Sequence, residues 1–167
     1  MHETRRQLTL FIPGGNDTIE KIRATFNPAQ YNLIPAHVTL CREHEINPIE
    51  KAIENIRFIT RDKPIRIAFN LPGRFDNGKG VFIPAKKENT DFHELRQTVL
   101  TGLVEFPPEH LPHITLMHPR NSTCTDFIFE QIINYDLPTE LFFDTICLIE
   151  QHNGGRWVII EQFPFVH

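Results

Sequence analysis

Two histidines stand in the same four-residue frame, His37-Val38-Thr39-Leu40 and His113-Ile114-Thr115-Leu116. With 9 His among 167 residues, chance composition supplies roughly 0.06 His-x-Thr-Leu tetrads, so the repetition calls for a cause. Imidazole titrates near pH 6.5; of two rings facing one substrate, one can take a proton while the other, protonated, supplies one. In an extended strand the threonine two positions on shares the histidine's face, and its hydroxyl can donate to a non-bridging phosphate oxygen. In-line displacement at phosphorus asks for such a pair of proton transfers, one at the attacking oxygen and one at the leaving oxygen. Arg42 follows the first motif and Arg120 the second, and a guanidinium beside each histidine would hold an anion and stabilise charge growing on it. The expected site is therefore His37 and His113 for catalysis, with Thr39, Thr115, Arg42 and Arg120 binding phosphate.

No metal or cofactor is needed for that chemistry. His110 and His118 flank the second motif and could suggest zinc with His113, but His110 precedes the strand and His118 falls on its opposite face, so no metal site is expected. Tyr31, Phe82 and Trp157 could stack on a nucleobase, although core packing is the commoner fate of such rings.

These side chains must be carried by regular elements. Leu8, Leu10 and Ile12 alternate as a first strand, broken by Pro13-Gly14-Gly15 before a helix that Asn16 or Asp17 could cap and that buries Ile19, Ile22 and Phe26. Asn27-Pro28 ends that helix, and after a loop Ala36 to Cys41 forms the first motif strand. There His37, Thr39 and Cys41 point one way while Val38 and Leu40 anchor the other side. Asn47-Pro48-Ile49-Glu50 has the form of a capping box with Pro in the first helical position, leading Ile49, Ala52, Ile53 and Ile56. A strand from Ile65 to Phe69 and a turn at Asp76-Asn77-Gly78 precede Val81 to Ala85. Asp91 and Glu94 frame a helix burying Phe92, Leu95, Val99 and Leu103; the second motif strand runs to about Met117. Thr123 or Thr125 opens a last helix with Ile128, Phe129, Ile132 and Ile133 inward, and a hairpin pairs Phe143 to Glu150 with Trp157 to Gln162 across Asn153-Gly154-Gly155.

The halves are in register. The motifs lie 76 residues apart, and the same offset carries Asn77-Gly78 onto Asn153-Gly154, Glu50 onto Asp126, Ile56 onto Ile132 and Ile83 onto Ile159. Helix, motif strand, helix and hairpin recur in one order, an internal duplication. The expectation is an α+β fold in one domain, residues 1–167, made of two pseudo-symmetric lobes. Two antiparallel-rich sheets would face each other across a central groove, with helices outside. Histidines on directly neighbouring strands, about 4.8 Å apart, would crowd each other, so the motif strands are expected on opposing lobes.

Composition narrows the function. The net charge of −4 and pI near 6.1 exclude the broad basic surface that grips long nucleic acid through many phosphates. Cys41, Cys124 and Cys147 lack any C-x-x-C spacing and suit a reducing cytosol; the apolar run from Leu8 to Ile12 is too short for a leader, and no window suits a membrane span.

In these motifs the sequence resembles the 2H phosphoesterase superfamily, named for paired His-x-Thr/Ser-x motifs, and within it the 2′-5′ RNA ligase-like proteins. The likeness extends over nearly the whole chain, because that family also has about this size and a duplicated α+β build. It implies hydrolysis of 2′,3′-cyclic phosphate at an RNA end or on a nucleotide, without metal or nucleotide cofactor. His113 would activate water, His37 would protonate the departing 3′ oxygen, and Thr39 and Thr115 would bind phosphate oxygens. Two other tasks suit the same groove: 2′-5′ ligation or cleavage, and non-catalytic binding of RNA ends or nucleotides. The partner expected is an RNA end or small cyclic-phosphate nucleotide, not a membrane, and the chain is expected to act as a cytoplasmic monomer.

Overall fold

In β1 (Thr4–Phe11) Leu8 and Leu10 are fully buried, and Thr9 between them is buried too, its hydroxyl donating to the Val38 carbonyl at 3.1 Å. The computed structural model describes residues 1–167, with no helix long and apolar enough to cross a membrane. After β1 come α1 (Asp17–Phe26), α2 (Pro28–Leu33), β2 (His37–Cys41), α3 (Ile49–Arg57), β3 (Ile65–Ala68), β4 (Gly73–Phe75) and β5 (Gly80–Pro84). The second half adds α4 (Thr90–Val99), β6 (His113–Met117), α5 (Asp126–Ile133), β7 (Glu140–Phe143), β8 (Thr145–His152) and β9 (Val158–Pro164). The class is α+β, with two antiparallel sheets: seven strands in the order β4-β5-β6-β2-β1-β8-β9, and the pair β3-β7.

The register carries the internal repeat into three dimensions. Val38 pairs with Ile114 across β2 and β6, and Arg66 pairs with Phe142 across β3 and β7. Both pairs join positions 76 residues apart, as a twofold axis between the paired strands requires. The helices cross over this axis: α1 packs beside β6 and α4 beside β2. A single cluster of 33 buried apolar residues draws on both halves, so neither half has a core of its own. The two turns at the repeat positions also match. Asp76, Asn77, Gly78, Asn153 and Gly154 all have positive φ, the left-handed backbone that Asn and Gly accept at least cost.

The groove runs elsewhere than expected. The motif strands are direct neighbours in the larger sheet, and no residue of β3 or β7 lines the groove. Register relieves the crowding expected of neighbouring strands. Continuing from Val38 opposite Ile114 sets His37 across from Thr115 and Thr39 across from His113, so the histidines lie on a diagonal, where side chains start roughly 7–8 Å apart. One register pair alone joins β2 to β6, and the strands part on either side of it.

Several local expectations also change. Pro28 opens α2 instead of a loop, because a proline lacking an N–H loses nothing at the first helical position. Pro48 is the N-cap of α3, one position earlier than expected, and Asn47 makes no cap. Asp91 lies inside α4, whose N-cap Asn89 turns inward and receives the Ala68 N–H at 3.1 Å. Thr125 does cap α5, accepting from the Ile128 N–H, but Ile133 at the helix end is half exposed. Cys41, expected on the groove face, is buried.

Candidate active site

Strands β2 and β6 share one burial pattern: Val38, Leu40, Ile114 and Leu116 are locked in the core while His37, Thr39, His113 and Thr115 remain partly open. All six residues expected from the sequence line one groove of about 600 Å³. Its walls add Arg5, Arg6, Arg23, His44, His110 and His118, with Glu43 as its one carboxylate. Cations thus gather on one face of a chain whose net charge is −4.

Each catalytic candidate is held in the same way. His37 Nδ1 lies 2.9 Å from the Pro35 carbonyl and His113 Nδ1 lies 3.2 Å from that of Leu111. A carbonyl only accepts, so each Nδ1 carries the proton and each Nε2 presents its lone pair. Pro35 and Leu111 are again 76 positions apart. Phe11 meets the His37 ring edge-on at 6.2 Å and Phe82 meets His113 at 5.8 Å, which fixes both ring planes. Burial pushes the His37 pKa down to about 4, against the opposing hydrogen bond to Pro35 and with help from the Arg23 guanidinium. His113 is lowered too, first by burial and also by the Arg42 charge. Both rings are therefore neutral in the free protein at pH 7. The hydroxyl of Thr39 accepts weakly from Gln7 Nε2 at 3.4 Å and keeps its own proton for a ligand.

The groove's supports lie outside the two motifs. His110 and His118, set aside as flanking residues, both line the groove. Strand β6 stops at Met117, so the alternation used to turn His118 away no longer holds there; its Nδ1 accepts the Arg120 N–H at 3.1 Å. His110 is buried, stacks on Phe92 and donates from Nε2 to the Thr39 carbonyl at 3.0 Å. Arg96 donates to the next carbonyl, Leu40, at 2.9 Å and forms a two-pronged pair with Glu45, which in turn accepts the Arg42 N–H at 2.8 Å. Two side chains of the second half thus hold consecutive carbonyls of the first motif strand. On the other side, Arg23 is buried in the groove wall near His37 and donates to the Ile34 carbonyl at 2.7 Å. A signal for both arginines was present: each sits on the apolar stripe of its helix, where a charge stays only if it is paired.

Among the ring candidates, Trp157 lines the groove with Arg5 stacked over it at 5.6 Å. Phe82 sits between Phe75 and His113, and Tyr31 is partly exposed.

Comparison with known proteins places this geometry. A family model described as the 2′-5′ RNA ligase superfamily matches residues 13–155. No curated protein sequence matches significantly. Among solved structures, that of E. coli LigT complexed with NADP+ is similar with a TM-score of 0.65 at 15% identity, covering 98% of both chains. E. coli LigT complexed with phosphate gives 0.64 at 14% identity over 100% of both. The protein TT0787 of Thermus thermophilus gives 0.56 at 18%, covering 96% of this chain and 97% of that one. At these identities the structures show a common fold, and the family match spans most of the sequence. The chain belongs to the 2′-5′ RNA ligase superfamily of 2H phosphoesterases, enzymes acting on phosphodiester bonds.

Proposed function

We propose that this protein is a phosphodiesterase that opens 2′,3′-cyclic phosphate at an RNA end or on a nucleotide, using His37 and His113 as a general acid-base pair without a metal. The observation that carries this reading is the matched pair of histidines, each with Nδ1 tied to the carbonyl two residues before it and Nε2 free toward one groove. Thr39 and Thr115, each directly across from the other strand's ring, bind the non-bridging oxygens. Arg42 and Arg120 neutralise the phosphate from the rim, where neither has an acidic partner. Residues 1–167 act as one domain of two pseudo-symmetric lobes, monomeric and cytoplasmic; the three free, buried thiols suit a reducing compartment.

Charge orders the two rings. The buried Arg23 beside His37 and the ring's deep setting oppose a positive charge there, so the first proton taken by the pair goes to His113. In the free site His37 is thus suited to remove the proton from water and His113 to protonate the departing oxygen. This direction reverses the one implied by the family resemblance. Substrate supplies what the free site lacks: a negative charge about 4 Å from a ring is worth roughly 4 kcal/mol at an effective dielectric of 20, about three pK units toward the charged form.

Incubation with oligonucleotides ending in 2′,3′-cyclic phosphate, with and without chelator, tests the reading. A 2′-phosphate product formed at equal rates in both is expected. A joined or cleaved 2′-5′ linkage as the sole product would assign the groove to that reaction instead, and binding without any turnover would remove the enzymatic reading.

A further inference from the structure

The segments that follow the two motif strands form a further matched pair. Arg42 and His118 lie 76 residues apart, and so do His44 and Arg120. Each segment therefore carries one arginine and one histidine, in exchanged order, and all four side chains line the groove. Val38 pairs with Ile114 across antiparallel strands, so Arg42 and His118, each four residues beyond that pair, stand at opposite ends of the groove. Both segments are tied to the other half of the molecule. Glu45 holds the first through Arg96 of α4, and at the matching position Asn121 holds the second through Asn27, which lies buried between α1 and α2. Asn27 donates to Asn121 Oδ1 at 3.0 Å and accepts the His118 N–H at 2.8 Å.

The two ends differ in what their donors face. Arg42 acts on His113 and His110, so it stands beside the reacting rings, and the groove's one carboxylate, Glu43, follows it directly. At the other end Arg120 offers a donor to each nitrogen of His118: its backbone N–H to Nδ1 at 3.1 Å and its guanidinium Nη2 to Nε2 at 3.2 Å. A neutral imidazole has one acceptor nitrogen and one N–H, so it cannot accept both. The backbone N–H is fixed by the loop, which leaves the ring proton on Nε2, facing a second donor. Two converging donors call for an oxygen that accepts from both, and an anionic oxygen does so most strongly. Gln30 adds to the set: its Oε1 accepts Asn121 Nδ2 at 2.9 Å, and its own amide N–H groups make no bond within the protein. Arg120 has no acidic partner, and Asp76, the one carboxylate acting on His118, counts for less there than Arg120 does.

We propose that His118 and Arg120, with Gln30, hold a second phosphate of the substrate, the one on the 5′ side of the nucleotide that carries the cyclic phosphate. This is not the phosphate between the catalytic rings. His118 comes three residues after Thr115, roughly 10 Å farther along at strand spacing, and neither catalytic ring is among the charges that act on it. Arg120, with five N–H donors, serves both phosphates. The strand leaves the groove at this end because the opposite end carries Glu43, which repels a phosphate. The inference rests on the phosphodiesterase reading for the position of the first phosphate. It adds what that reading leaves open: the preferred substrate is an RNA end, which has a second phosphate, over a cyclic mononucleotide, which has none.

Three substrates with the same terminal base test the proposal: adenosine 2′,3′-cyclic phosphate, its 5′-phosphorylated form, and the adenosine dinucleotide ending in 2′,3′-cyclic phosphate. Turnover and calorimetric Kd are measured for each. The two that carry a second phosphate should show kcat/KM higher by roughly 10-fold, chiefly through KM. His118→Ala should bring the three values together, and His118→Gln, whose amide still donates, should retain part of the preference. Equal kcat/KM for all three in the wild-type protein would overturn the second site. A preference that survives intact in His118→Ala would assign it to the general charge of the groove and overturn the pairing of His118 with Arg120. Tighter binding of the two longer ligands, lost in His118→Ala, with no hydrolysis of any of the three would leave the second site standing and sink the phosphodiesterase reading.

Discussion

His37 and His113 make the same backbone hydrogen bond yet face different walls. Beside His37 stand Phe11 and the buried Arg23, whose guanidinium is paired with a partly exposed Glu20. Beside His113 stand Phe82, the neutral His110 and the rim charge of Arg42. Duplication explains why two imidazoles present the same nitrogen to one space. Divergence of their surroundings is what the proposed acid-base pair needs, since two titratable groups become an acid and a base when their environments push their pKa values apart.

The comparison is broken most directly by removing each ring. His37→Ala and His113→Ala should each lower turnover of a cyclic-phosphate substrate by roughly 10²–10⁴-fold with folding intact. A substrate whose bridging 3′ oxygen is replaced by sulfur separates the roles, because a thiolate leaves without protonation. Activity on it should return in His113→Ala and not in His37→Ala; rescue of the opposite variant would restore the direction implied by the family resemblance.

The buried supports of the two halves should differ in stability. Glu45 and Arg96 are both almost wholly buried, so Arg96→Met strands a carboxylate in the core and should cost about 3–5 kcal/mol in urea unfolding. Replacing both partners with apolar residues should recover most of that loss. Arg23→Met leaves Glu20 with access to water and should cost less. It should also raise the His37 pKa, read by NMR titration, because a nearby positive charge is removed. An unchanged His37 titration would show that Arg23 plays no part in separating the two rings.

Protonation tests the same walls in the intact protein. His37 and His110 titrate near 4 when folded, both chiefly through burial, against about 6.5 when unfolded. Between those values the unfolded chain binds more protons, so stability falls as pH drops from about 6.5 to 4 and is insensitive to these groups above that window. The contribution of each is on the order of 3 kcal/mol at most. His110→Phe should keep the stacking on Phe92 and flatten this acid limb in part; a limb of unchanged slope would leave the pH dependence to His37 and the carboxylates.

Much of this arrangement was legible in the chain. Period-two alternation separated the buried Val38, Leu40, Ile114 and Leu116 from the partly open histidines and threonines but failed at the strand ends, where Cys41 and Met117 are buried, and the 76-residue offset recurs in the paired strands and in the turns. Strand adjacency was not legible, because sequence offset says that two strands are equivalent and not whether they meet; the diagonal that separates the rings is a property of register. Arg23, Arg96 and Glu45 escaped for a related reason. A buried charge is recognised by its partner: Glu45 and Arg96 meet between the two halves, and Arg23, though paired with Glu20 one turn away in α1, makes its buried bond to a backbone carbonyl beyond the next helix. His110 was visible as a residue, but its partner is a backbone carbonyl, which leaves no trace in side-chain patterns.

The smallest effect expected concerns that carbonyl. Because β2 and β6 share one register pair, the Thr39 carbonyl receives the His110 side chain where a longer ladder would supply a backbone N–H. The corresponding position in the first half is Ile34, which has no side-chain donor, so the tether exists on one side of the twofold only. Loss of His110 should let the first motif strand drift from the loop leading to His113 and misplace Thr39 and His37 relative to the second ring. His110→Ala is expected to lower kcat by about 10-fold, since small displacements of reacting groups are costly, with little change in KM because the rim arginines still hold the phosphate. His110→Asn, whose amide can still donate to Thr39, should recover part of the loss. The apparent pKa values of the rate profile should stay in place in both variants, because a tether moves the rings without exchanging protons with substrate; a shift of either limb would make His110 a participant in the proton transfers instead.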